Sequence, residues 1–195
     1  MKVLYFTLLA FIASQNPWTL RKDEDGIKVY SRPVPYSNYD AYKAEMVLEC
    51  DLNLVKDFLR NQPRYRQVFP DVEVLEIVEI LSENEWILYT LTDVPWPASD
   101  RDGYFRSRFR HHNGRISITS EAVPDYGPEN EGVVRVRKSE SKWLAYKTPD
   151  GKVYITYEVA AEPGGDIPGW LIKTAAHEVP YKTFQNLRKA LSSAP

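Results

Sequence analysis

The chain has 195 residues, 43% of them hydrophobic and 27% charged, with a formal net charge of -2. That is one domain's length and composition, enough to bury a sizeable core. The near-neutral balance argues against a nucleic-acid partner, which would call for a basic face. The single Cys50 excludes an internal disulfide and a cysteine-rich metal cage.

Residues 1–15 read as a secretory leader. Lys2 supplies a short positive start, and Val3 to Ala13 is an apolar run. That run falls short of the roughly 20 residues a membrane-spanning helix needs. Bulky Phe11 makes a cut after Ala13 imperfect, so Ser14 or Gln15 serves as well. The alternative is a buried first helix packed on the domain. With a leader, export to the periplasm is expected and the domain runs from 16 to 195.

Beyond it, Trp18–Lys22 and Ile27–Arg32 form a hairpin across the turn Asp23–Gly26. Tyr39–Glu49 alternates as a third strand. Asp51 is placed to cap a helix over Leu52–Arg60, with Leu54, Val55, Phe58 and Leu59 as its apolar stripe. Pro63 and Pro70 bracket a second short helical piece. Strands follow over Val72–Leu81 and Glu85–Val94. Asp102–His112 and Arg115–Val123 make a hairpin across Asn113-Gly114, the strongest short hairpin signal. One strand is expected over Gly132–Tyr146 and another over Val153–Ala161. Ile167–Leu191 repeats apolar residues at helical spacing, and Pro180 should kink it.

The sum is an α+β fold in which a curved antiparallel sheet wraps around one long C-terminal helix. A single helix cannot fill such a sheet to native density, so the remaining space holds either large side chains or a guest. Facing can be argued for the strand from Asp102. One side carries Arg106, Arg108 and Arg110, and burying three unpaired guanidinium groups is prohibitive. Phe105, Ser107 and Phe109 therefore face inward. Trp86, Leu88 and Thr90 share one side of their strand. Its other side (Ile87, Tyr89, Leu91) is also apolar, so both faces are expected to be covered.

Other chemistry is thin. His111 and His112 point to opposite faces beside a turn and cannot easily share a metal, and His177 sits at a solvated helix position. Asp100, Arg101 and Asp102 fit a structural clamp better than acid–base work. The arginine side of the strand could meet an anionic membrane, or simply water. No nucleophile elbow or Cys-His pair is present, and Gly164-Gly165 lacks the Lys of a phosphate loop.

Three segments occur in order: Trp96-Pro97-Ala98-Ser99-Asp100-Arg101-Asp102, then Asp125-Tyr126-Gly127-Pro128 through Gly132-Val133-Val134-Arg135, then Pro163-Gly164-Gly165-Asp166-Ile167-Pro168-Gly169-Trp170-Leu171. Together they resemble the START family of steroidogenic-acute-regulatory-protein-related lipid transfer domains, especially its small bacterial members. The resemblance spans about residues 17 to 191. It implies a helix-grip fold, an internal tunnel for a lipid or other apolar molecule, and no catalysis or cofactor. The implied lid comprises the terminal helix and the loop Pro124–Glu131. Several sterol-type members place an inward Arg six residues beyond the signature Arg, paired with an acid. Here that position is Ser107, with Leu88 near the acid's place, so a more neutral ligand end is implied.

The ligand-contact candidates are accordingly Trp86, Leu88, Thr90, Phe105, Ser107, Phe109, Trp170, Leu171 and Thr174, for which plain core is the competing reading. A monomer with transient membrane contact and no metal is expected. The competing functions are a polyketide cyclase or aromatase on the same fold and a ligand-gated interaction protein.

Overall fold

The computed structural model describes residues 17–192, apart from the side chains at 62–63 and 173–175. The predicted leader and the side chain of Thr174 lie outside the described residues. Strand β1 (Thr19–Glu24) turns through Asp25-Gly26 into β2 (Ile27–Arg32), and β3 (Ala41–Leu48) follows. Both turn residues have positive φ, at 51° and 71°, as a two-residue hairpin turn requires. Helix α1 (Leu52–Arg60) starts where the sequence places it. The Asp51 carboxylate accepts from the Asn53 backbone N–H at 2.7 Å, a cap worth about 1 kcal/mol. The short α2 (Gln62–Arg66) leads into β4 (Val72–Ser82) and β5 (Glu85–Thr92).

Strands β6 (Arg101–His112) and β7 (Arg115–Ala122) meet at Asn113-Gly114, whose φ values of 49° and 69° bear out the hairpin expectation. The single strand expected over Gly132–Tyr146 is instead two. A short β8 (Val134–Arg135) runs parallel to β6, and β9 (Lys138–Lys147) pairs with β7 and with β10 (Val153–Glu162). The break arises because the Val134 and Val136 backbone N–H groups donate to the Asp100 and Asp102 carbonyls, which holds this stretch beside β6. Helix α3 (Gly169–Ser192) runs through Pro180 and starts two residues later than its apolar spacing suggests.

The sheet order is β1-β2-β3-β10-β9-β7-β6-β5-β4. Its inner face is closed at one end by α1, α2 and the C-terminal half of α3. Val55, Phe58 and Leu59 of α1 and Phe184 and Leu187 of α3 are fully buried there, with Ile27, Val29, Ala44 and Ile155 of the sheet. Trp143 is the pivot. It stacks between Tyr157 and Phe184, and its indole N–H donates to the Tyr65 hydroxyl at 2.7 Å. The inner face is the one the arginine argument selects: Phe109 is buried, while Arg106 and Arg108 point outward onto Glu85 at 2.6 Å each.

Candidate ligand chamber

Helix α3 packs chiefly on β2 and β3 and touches α1. It therefore closes one arm of the bent sheet and stands back from the other, formed by β5, β6 and β7. The consequence is visible in burial along the inner face. Toward the closed end the inward residues Ile116, Ile118 and Trp143 are sealed. Toward the other end Thr90, Phe105, Ser120, Ala122, Tyr42 and Val159 are only half-buried.

Tyr42 is the clearest marker. Burial holds its phenol well above the ordinary tyrosine range, yet the side chain keeps accessible surface. This half-buried group, set among aromatic rings, marks where the candidate space lies. Phe69, likewise half-buried, meets Tyr65, Trp143 and Tyr157 edge-on, so the floor of this space is aromatic.

The predicted site residues divide by position. Trp86, Leu88, Ser107 and Phe109 are buried on the inner face, and Thr90 and Phe105 stand half-buried nearer the mouth. Arg60 lies over the Phe109 ring at 4.6 Å, which places Phe109 at the closed end. A Cβ at Gly103 would come within 2.5 Å of the Phe105 ring; the missing side chain lets that ring lie back toward the mouth. Ser107 faces Trp86 across the strand pair, whereas Leu88 faces Phe105. On α3, Leu171 is buried but Trp170 is 59% exposed.

The mouth is built from two clamps. Asp102, sealed at the start of β6, receives Nε and Nη2 of Arg135 at 2.7 and 3.0 Å. The Arg135 guanidinium also donates to the carbonyls of Pro124, Gly127 and Pro128. Burial alone would raise the Asp102 carboxyl, but Arg135, with hydrogen bonds from Asn130 and Tyr89, outweighs it and holds the group below the usual carboxylate range. The loop Pro124–Glu131 is thereby tied down on the outer face, where the Tyr126 ring packs tilted against Tyr104 and Tyr104 against Tyr89. This packing also explains why the outer side of β5 is apolar.

The second clamp is Arg101, which donates to the carbonyls of Ser99 and Gly164. It ties the loop 93–100, with its cis Trp96-Pro97 bond, to the turn that opens α3. The acid–arginine trio is thus a clamp, as expected, although Asp102 pairs with Arg135 and not with its neighbour. A groove among Trp18, Arg32, Arg108, Glu121 and Glu158, which also takes in Ser120, Ser141 and Val159, is too charged for an apolar guest. Among the described residues no cluster of three or more metal-ligating side chains occurs.

A family model for the START domain matches residues 8–195. The chain belongs to the START family. A STAR-related lipid transfer protein from Xanthomonas axonopodis is 34% identical in sequence. Its structure covers 90% of this chain and 99% of its own, with a TM-score of 0.80. Bovine phosphatidylcholine transfer protein is 32% identical over 169 residues, 82% of this chain and 76% of its own. An uncharacterized Pseudomonas aeruginosa protein is 30% identical over 179 residues, 91% of this chain and 88% of its own.

Within this START fold the residues that sequence reasoning missed are Tyr42, Val159, Ala122 and Ser120. Each is inward on a strand whose alternation was legible. What was not legible is that the helix leaves this end of the face uncovered.

Proposed function

We propose that the protein is a non-enzymatic carrier that binds a lipid or other apolar small molecule in the chamber between α3 and the β5–β7 arm. The observation that carries this is the run of half-buried inward side chains beside a helix that packs on the opposite arm. Removing about 300 Å2 of apolar ligand surface from water is worth roughly 7 kcal/mol before binding costs. That suffices for a carrier and needs no charge pair. Between mouth and floor, β6 and β7 present Phe105, Ser107, Ser120 and Ala122 inward. These residues offer no acid–base pair, which favours a carrier over a cyclase. The relatives named as lipid transfer proteins support the same reading.

Native mass spectrometry of the purified protein tests it. An apolar adduct that survives gentle ionisation and is lost on denaturation is expected. A protein that is bare after every preparation, and that takes up no added lipid, would end the carrier reading.

Entry at a membrane completes the proposal. Trp96 is 87% exposed and Trp170 59% exposed, on the two segments that Arg101 joins. Tryptophan favours the membrane–water interface, and among the described residues no helix is long and apolar enough to cross a bilayer. Replacing both by Ala is expected to cut cosedimentation with phosphatidylcholine vesicles several-fold in protein that still unfolds cooperatively. Equal cosedimentation would remove these residues from the contact. The carrier is further proposed to act as an exported monomer; intact Met1 on protein isolated from its host would overturn the export.

A further inference from the structure

The strand registers line up one rung across the inner face that differs from the rows on either side. Trp86 pairs with Ser107, Ser107 with Ser120, Ser120 with Ser141, Ser141 with Val159, and Val159 with Tyr42. Five of these six side chains carry a hydrogen-bonding group, and all six share the inward parity. The row below is Phe109, Ile118, Trp143, Tyr157 and Ala44, and the row above includes Phe105, Ala122, Ser139 and Ala161. None of the side chains named is charged; beyond Tyr42 the register reaches Ser31, whose hydroxyl sits between Asp40 and Arg21.

The polar groups of the rung are only partly used. The Ser107 and Ser120 hydroxyls share one hydrogen bond at 2.8 Å, which leaves the pair a spare donor and several lone pairs. Ser120 and Ser141 are half-buried, and the Ser141 hydroxyl also meets the Tyr157 hydroxyl of the row below. At the head of the rung, Trp86 is 6% exposed and its indole N–H is buried without a hydrogen-bond partner among the described residues. A sealed donor with no acceptor is costly and rare in a finished core. At the far end no partner for the Tyr42 hydroxyl is found among the described residues, although its ring packs edge-on against Tyr157.

We infer that this rung is a binding subsite for an uncharged oxygen function, an ester carbonyl or a hydroxyl, on an otherwise apolar ligand. The inference rests on the carrier reading and deepens it. Serine hydroxyls and an indole N–H supply donors for such an oxygen, and the neighbouring rows bury the hydrocarbon on either side. An ionised group would find no counter-charge in the rung or in the rows that flank it.

The test uses the full chain loaded with Nile red and displaced by methyl palmitate or by hexadecane, which differ mainly in the ester. The ester is expected to displace the dye from the unmodified protein at about five-fold lower concentration, the value of one neutral hydrogen bond. Ser120→Ala, Ser141→Ala and Trp86→Phe should each shrink that ratio toward one, with hexadecane displacement from the same variant as the internal reference. Thermal melting confirms folding, and any two folded variants suffice. Equal displacement by ester and hydrocarbon from the unmodified protein, or a ratio that none of the variants alters, overturns the subsite and leaves the chamber standing. A protein that takes up no dye, or loses it to neither competitor, overturns the chamber and the subsite with it.

Discussion

Replacing Asp102 by Ala is expected to destabilise the protein by about 3–5 kcal/mol, the range for stranding one partner of a buried ion pair. Both side chains are almost sealed, at 3% exposure for Arg135 and 1% for Asp102. The guanidinium left behind would keep its carbonyl acceptors in the loop 124–128 but lose its bonded carboxylate. Denaturant unfolding measures the loss, and a change below about 1 kcal/mol would show that solvent or relaxation supplies the missing charge. Replacing both partners with apolar residues should not restore full stability, because three loop carbonyls would then lose their donor.

The same pair sets an acid limb. The folded-state pKa of Asp102 lies below its ordinary value, so the pair's contribution is fully present above the unfolded pKa of about 3.9. It is lost as pH falls from there through the folded value. The decline below pH 4 should therefore be shallower in Asp102→Asn than in the unmodified protein. Parallel acid limbs would assign that decline to other carboxylates.

The second large effect concerns the chamber itself. Ala122 faces inward and is half-buried near the mouth. A tryptophan there would fill space that the fold leaves open, so Ala122→Trp should weaken Nile red binding at least ten-fold. Stability should shift by less than about 1 kcal/mol, because overpacking is penalised only where side chains already fill the site. The opposite pattern is equally readable. A loss of about 1–3 kcal/mol with unchanged dye binding would mean a packed interior at that point.

These expectations depend unequally on what could be read from residues alone. The Asp51 cap and the Asn113-Gly114 turn were legible because each is decided within three or four residues of chain. The inward side of β6 was legible for a different reason: three arginines on one face leave no affordable alternative. The family was legible from three ordered segments. In contrast, the break at Val136 depends on hydrogen bonds to Asp100 and Asp102, more than thirty residues away. The pinning of the loop 124–128 by Arg135 depends on a contact of the same long range, with Asp102, which no local pattern announces. Trp170 was placed among ligand contacts by helical spacing. Spacing gives a face but not the direction from which the sheet approaches, and the exposed side chain stands next to the buried Leu171.

The sequence by itself determined the alternation of the strands, the helix start, the turns and the apolar character of the inward face. These follow from the two- and 3.6-residue periods and from local backbone chemistry. Only the tertiary structure decided which strands became neighbours, how their registers aligned Trp86, three serines and Tyr42 into one rung, and where α3 stopped covering them. Register and coverage are set by contacts between segments far apart in the chain, and no local period encodes them.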